Sequence, residues 1–232
     1  MNVLLFGATG MVGQGVLREC LLDSGVESVV SIGRSATGVR SASGVSDPKL
    51  REIVHADLAD YSTIESQLTG FDACFFCLGI SSAGLTEEQY SRITYDITLR
   101  AAETLARLNT GMTFVYISGA GTDSTEHGRT MWARVKGRTE NALLRLPFKA
   151  AFMFRPGIIV PRFGAHSKAT SYRVLYTLTR PVLPLLRRAF PNQVLTTDEI
   201  GRAMLIVARY GAPNPVLETG DIRSLLTRSA AA

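Results

Sequence analysis

The chain has 232 residues, a mass of 25.1 kDa and a formal charge of +5, with a pI near 9.3. At 46% hydrophobic and 19% charged residues it can bury a sizeable core, which argues against wholesale disorder. No run approaches the ~18 uninterrupted apolar residues of a membrane-spanning helix, and three cysteines and three histidines are too few for a disulfide framework or a multi-zinc protein. The first ten residues carry no basic stretch and their apolar run ends at Gly7, unlike a secretory signal. The expectation is a cytoplasmic protein of a reducing compartment, without a metal site. A basic balance suits an anionic cofactor, an anionic membrane or nucleic acid. There is no zinc-finger spacing and no aromatic-rich RNA-binding signature, so nucleic acid is not an expected partner.

Strand-like and helix-like segments alternate from the start. Residues 3–6 form a short apolar run that reads as a buried strand, and 11–22 a helix with Val12, Val16, Leu17 and Leu21 on one face. Residues 29–32 read as a second strand, 33–48 as a Ser/Gly-rich loop and 52–55 as a third strand. Ser62 and Glu65 have the spacing of a capping box, predicting a helix to about Thr69. Residues 73–78 are a nearly all-apolar fourth strand, as expected where both sheet faces are covered. A second box, Thr86 to Gln89, opens a long helix with Ile93, Ile97, Ala101, Leu105 and Leu108 in a stripe. Strands at 112–117 and 150–154 flank a helix at roughly 130–146. The pattern loosens after Pro161 until a helix near 197–210, and the tail 229–232 reads as frayed. This alternation predicts one α/β domain, a doubly wound, Rossmann-like parallel sheet, with 158–232 adding a small substrate-side cap.

Gly7-Ala-Thr9-Gly10-Met11-Val12-Gly13 lies directly between the first strand and first helix. Gly7 suits the tight turn, Gly10 close approach of backbone to a diphosphate, and Gly13 close packing of helix on strand. The loop, including Thr9, Met11 and Val12, then presents the helix amides and positive dipole end to the phosphates. At the end of the second strand, where NAD-binding chains usually carry an acid, the sequence reads Gly33-Arg34-Ser35. Arg34 can pair with a 2′-phosphate and Ser35 can add a donor, so NADP(H) is expected over NAD(H). Asp57-Leu58 closes the third strand, where Asp57 either accepts from an adenine amino group or caps a turn. Leu78-Gly79 ends the fourth, where backbone can run along the adenine ribose.

These motifs, with Ile117-Ser118-Gly119-Ala120, Lys136 and Arg155-Pro156-Gly157, resemble the short-chain dehydrogenase/reductase superfamily. The nearer likeness is to its atypical, epimerase-like branch, which includes Tat-interacting-protein-like oxidoreductases, over roughly residues 1–210. The resemblance implies an oxidoreductase acting on a small carbonyl or alcohol. In it Ser118 would bond the substrate oxygen, Lys136 would hold the nicotinamide ribose, and Pro156, Gly157 and Ile158 would line the nicotinamide side. It also implies a homodimer through helices four and five. One position departs: the Tyr of Tyr-x-x-x-Lys reads Trp132, and an indole donates but cannot exchange a proton with a carbonyl oxygen. Tyr90, Tyr95, Tyr116 and His127 are the candidate substitutes. The alternatives are a non-catalytic NADP(H)-binding redox sensor and a nucleotide-sugar epimerase or dehydratase, the latter disfavoured by the short C-terminal region.

Cys74-Phe-Phe-Cys77 has a metal or redox spacing, but within a strand these positions face opposite sides. They read as buried structural thiols. The basic, apolar stretch 168–190, interrupted by Pro181 and Pro184, reads as a substrate lid, a peripheral membrane patch or a core-covering segment with a basic edge.

Overall fold

A computed structural model describes residues 1–38, 47–165 and 193–229. In chain order the elements are β1 (Asn2–Phe6), α1 (Met11–Leu22), β2 (Ser28–Gly33), β3 (Leu50–Val54), β4 (Ala73–Phe76), α2 (Glu87–Ser91), α3 (Ile97–Leu108), β5 (Thr113–Ile117), α4 (Met131–Leu144), β6 (Ala150–Arg155), β7 (Ile158–Val160), β8 (Val194–Thr196), α5 (Thr197–Tyr210), β9 (Val216–Glu218) and α6 (Thr219–Ser229). Seven strands form one sheet in the order β3-β2-β1-β4-β5-β6-β9, every pair parallel. The order reverses between β1 and β4, the place where an open α/β sheet leaves a crevice beyond its strand ends.

Period-two alternation along the strands divides the core. Val3, Leu5, Val115 and Phe154 face α1 and α5, meeting Val16, Leu17, Cys20, Ile200, Met204 and Val207. Leu4, Phe6, Phe76, Phe114 and Tyr116 face the other way, onto Ala101, Ala102, Leu105 and Leu143. Cys74 belongs to this second layer while Cys77 packs against the first, and both thiols are free. Two glycines let α1 and α5 touch backbone to backbone. A Cβ on Gly15 would stand 2.5 Å from the Thr197 Cβ, and one on Gly201 3.1 Å from the Val16 Cα.

Three local readings change. The Ser62–Glu65 box does not form: Asp60 instead accepts from the Ser62 amide and hydroxyl, and only a 3₁₀ turn, Glu65–Gln67, follows. A short Asx turn competes successfully with so brief a helix. The Thr86–Gln89 box does form, but the helix passes through a π turn at Arg92–Asp96 before continuing as α3. Beyond Pro161, α5 opens on a box unnoticed in the sequence, Thr196 with Glu199, and β9 and α6 complete the main sheet and its cover. Among the described residues, only the two-stranded ladder β7–β8 stands apart from that sheet. The stretch 168–190 and the tail from 230 lie outside the described residues. No described helix is long and apolar enough to cross a membrane.

Gly15→Ala is expected to destabilise the chain by about 1–3 kcal/mol through overpacking against Thr197. Gly111→Ala, at a site open on all sides, should change it little; urea unfolding of both variants checks the contrast.

Candidate functional site

The crevice is built around the opening of α1. Gly7 has φ +78°, and a Cβ there would lie 2.6 Å from the Cys77 carbonyl carbon at the end of β4. A Cβ on Gly13 would lie 2.1 Å from the Gly7 carbonyl oxygen, so α1 starts hard against β1. The Gly10 amide donates to the Gly7 carbonyl at 2.9 Å and closes the turn. The amides of Met11, Val12 and Gly13 then find no acceptor among the described residues, and Gly10 brings no capping side chain. The first turn of α1 carries no acid, whereas α2 and α5 open on threonine caps followed by two acids each. An uncapped, acid-free helix start behind a loop with no room for side chains fits a dinucleotide diphosphate. Gln14 steadies the loop by donating from Nε2 to the Thr9 carbonyl at 3.0 Å.

The flanking residues follow the sheet order. Arg34 and Ser35 are exposed just beyond β2, and the Arg34 guanidinium has no ion-pair or hydrogen-bond partner among the described residues. Asp57 is exposed but uses one carboxylate oxygen to cap its own turn, accepting from the Ala59 amide at 2.9 Å. Leu58 is turned into the core beside Tyr61 and Ile64. Leu78 and Gly79 continue β4 past the Gly7 loop.

Ser118, Trp132 and Lys136 meet at the end of β5. The Ser118 hydroxyl lies 2.9 Å from that of Thr122, which donates to the Gly119 carbonyl at 2.8 Å. The hydrogen shared by the two hydroxyls is therefore the Ser118 one, and turning it outward would let Ser118 donate to an entering oxygen. Lys136 Nζ donates to the Ile117 carbonyl at 3.3 Å and to the Tyr116 hydroxyl at 3.4 Å, with the Tyr116 ring centroid 5.1 Å away. Burial pushes the Lys136 ammonium down from 10.5 to about 8, opposed by Glu140. One turn earlier on α4, the Trp132 ring lies against Gly121, its Cη2 3.6 Å from where a Cβ would stand.

The helix carrying Trp132 and Lys136 is fixed by Arg155. Its guanidinium donates to both oxygens of Glu140, Nε at 3.0 and 3.2 Å and Nη2 at 2.5 Å, and reaches Ser124 Oγ at 2.6 Å and Glu218 at 3.3 Å. Glu140 is fully buried. This one cation ties α4, β6, β9 and the loop after β5 together. A Cβ on Gly137 would lie 1.8 Å from the Asp123 carbonyl oxygen, so that loop rests directly on α4. Pro156 is buried and accepts from the Ala120 amide, Gly157 donates to Thr219 Oγ1, and Ile158 is exposed.

The candidate substitutes for the absent tyrosine scatter. Tyr90 and Tyr116 are at most 2% exposed, and burial drives the Tyr116 phenol well above its usual pKa. Tyr95 lies under the Arg138 guanidinium at 4.3 Å, and His127 is exposed on the loop organised by Asp123. The sequence reading missed Thr122 and the contact of Tyr116 with Lys136. The only signal for either was proximity to Ser118, because their roles depend on a loop turn and a strand face.

The family described as NAD(P)H-binding matches residues 7–144. Relatives include the protein named fmp52, mitochondrial, of Emericella nidulans, 31% identical over 161 residues, 68% of this chain and 66% of that protein. The chain thus spans just under two thirds of that relative. Protein FMP52, mitochondrial, of Eremothecium gossypii is 26% identical over 230 residues, 97% of each chain. Among solved structures, a UDP-glucuronic acid 4-epimerase from Bacillus cereus in complex with NAD superposes with a TM-score of 0.64 at 14% identity, over 100% of this chain and 85% of its own. That likeness is one of fold. These relatives are named as mitochondrial proteins, which overturns the cytoplasmic expectation. Free cysteines suit any reducing compartment and do not tell the cytosol from a mitochondrion.

Arg155→Met is expected to cost about 3–5 kcal/mol, because it strands the buried Glu140 carboxylate. Arg155→Met combined with Glu140→Met should recover much of that loss in denaturant unfolding. Lys136→Met should raise the melting temperature most below pH 8, where the folded chain bears a buried ammonium. The gain should shrink as pH rises from about 8 to 10.5, since only the unfolded chain still binds the proton there. Melting curves across that range check the sign.

Proposed function

Because the chain belongs to the NAD(P)H-binding family, with the fold of the epimerase-like short-chain dehydrogenases/reductases, we propose that it is an NADP(H)-dependent oxidoreductase of small carbonyls or alcohols. One observation carries the cofactor choice: past β2 the chain offers an exposed Arg34 and Ser35, the arginine without a partner among the described residues, with no acid among residues 33–38. A guanidinium rewards an added phosphate and gives nothing to a bare ribose hydroxyl. The residues around α1 would hold the diphosphate, and Leu78 and Gly79 the adenosine side. When bound, the nicotinamide supplies or accepts a hydride.

Within the chain, Ser118 orients the reacting oxygen by turning its hydroxyl hydrogen from Thr122 toward it. Lys136 places a positive charge beside Ser118 through the Ile117 carbonyl and is the group to hold the nicotinamide ribose. Pro156 and Gly157 close the far wall, braced by Ala120 and Thr219. Trp132 brings aromatic surface and no exchangeable acid.

Arg34→Ala should weaken NADPH binding at least tenfold and leave NADH binding nearly unchanged in calorimetric titrations, a loss of about 1.4 kcal/mol or more. Equal loss for both cofactors would refute the phosphate assignment. Turnover is tested with NADPH and a carbonyl panel, following absorbance of the reduced cofactor.

A further inference from the structure

Resting on that reading, we propose that the acceptor is a planar, conjugated compound of the quinone class, stacked on Trp132, rather than a simple aldehyde or ketone. Hydride addition to a simple carbonyl leaves a strongly basic alkoxide, and a positioned acid speeds such a step by about 10²–10⁴. No described side chain is placed to be that acid. The tyrosine position is an indole, Tyr90 and Tyr116 are sealed in the core, Tyr95 is covered by Arg138, and His127 is held out on its loop. Lys136 Nζ donates to Tyr116 and the Ile117 carbonyl, and its third hydrogen is the one assigned to the nicotinamide ribose.

A quinone removes the need. Its carbonyl system accepts the hydride with both electrons, the nicotinamide is left oxidised, and the product is a hydroquinone monoanion. That anion is a phenolate, whose conjugate acid has a pKa near 10, so water delivers the second proton without help. The surface agrees with this chemistry. Beyond the ends of the neighbouring strands β4, β5 and β6 the chain presents Ile80 at 39% exposure, the Trp132 ring against Gly121, and Ile158 at 44%. Gly79 and Gly119 beside them leave open space where side chains would stand. An indole beyond β5, with aliphatic side chains beyond the strands on either side in the sheet order, suits a flat, electron-poor ring.

The test uses 1,4-naphthoquinone and 1-naphthaldehyde as size-matched acceptors with NADPH. Wild type should reduce the quinone at least ~100-fold faster than the aldehyde, and Trp132→Tyr should raise the aldehyde rate by about 10² or more. A readout independent of turnover is available because Trp132 is the single tryptophan. With NADP⁺ bound, its fluorescence should be quenched by the quinone along a saturating curve, while free N-acetyltryptophanamide shows only linear quenching. Comparable wild-type rates on both acceptors, or linear quenching of the protein, would overturn the proposal. If NADPH titration still releases heat in that case, the cofactor reading stands and only the quinone assignment falls. No heat with NADPH would bring down both.

Discussion

The closeness of β1, its glycine loop and α1 is the constraint on which the rest of this chain depends. With 2.1 Å between a hypothetical Gly13 Cβ and the Gly7 oxygen, and 2.6 Å between a Gly7 Cβ and the end of β4, no other residue type permits the approach. Three consequences follow together. The helix begins with its amides aimed into the crevice at the reversal of strand order. Its next turn reaches α5 through Gly15 and Gly201, which locks the C-terminal part of the chain beneath the sheet. Its far end is held by Lys49, whose Nζ donates to the Leu21 and Asp23 carbonyls, and by the Asp23–Arg209 pair. A site for an anion and the packing of the first core layer thus share one piece of geometry.

The second support is electrostatic. Arg155 leaves β6 at the crevice and is neutralised inside the protein by Glu140, with Glu218 at its rim. A buried pair of this kind contributes little net stability against an apolar substitute, yet it forbids partial assembly, because either partner alone is costly. Here it fixes the angle of α4, and with α4 the positions of Trp132 and Lys136. The loop from Ser118 to Thr130 is fixed by the same cation through Ser124, so the serine and the lysine are set by one network. In such a frame an indole at position 132 leaves the framework intact. On the proposed reading, Ser118 and Lys136 keep their places while the tyrosine proton donor is absent, which suits acceptors that need no donor.

The parallel sheet, its first six strands and the glycine loop were legible because each is written locally. Buried strands read as apolar runs, helices as stripes, and the loop as three glycines at fixed offsets between them. Gly33-Arg34-Ser35 was legible as well, since its place one strand over follows from the topology. Short elements were less readable. Ser62 to Glu65 has a cap spacing that Asp60 subverts, and β7, β8 and β9 are three residues each, too brief to show a period.

By itself the sequence determined the fold class, the glycine turn before the first helix, the basic residue beyond the second strand and the absence of the tyrosine before Lys136. Tertiary structure alone decided which polar groups are available. It placed Tyr90 and Tyr116 out of reach, gave Arg155 to Glu140, set Thr122 behind Ser118 and turned Leu58 into the core. The reason is physical. Backbone propensity and apolar periodicity act over a few residues, whereas solvent exposure and the partner of a charge depend on segments dozens of positions apart.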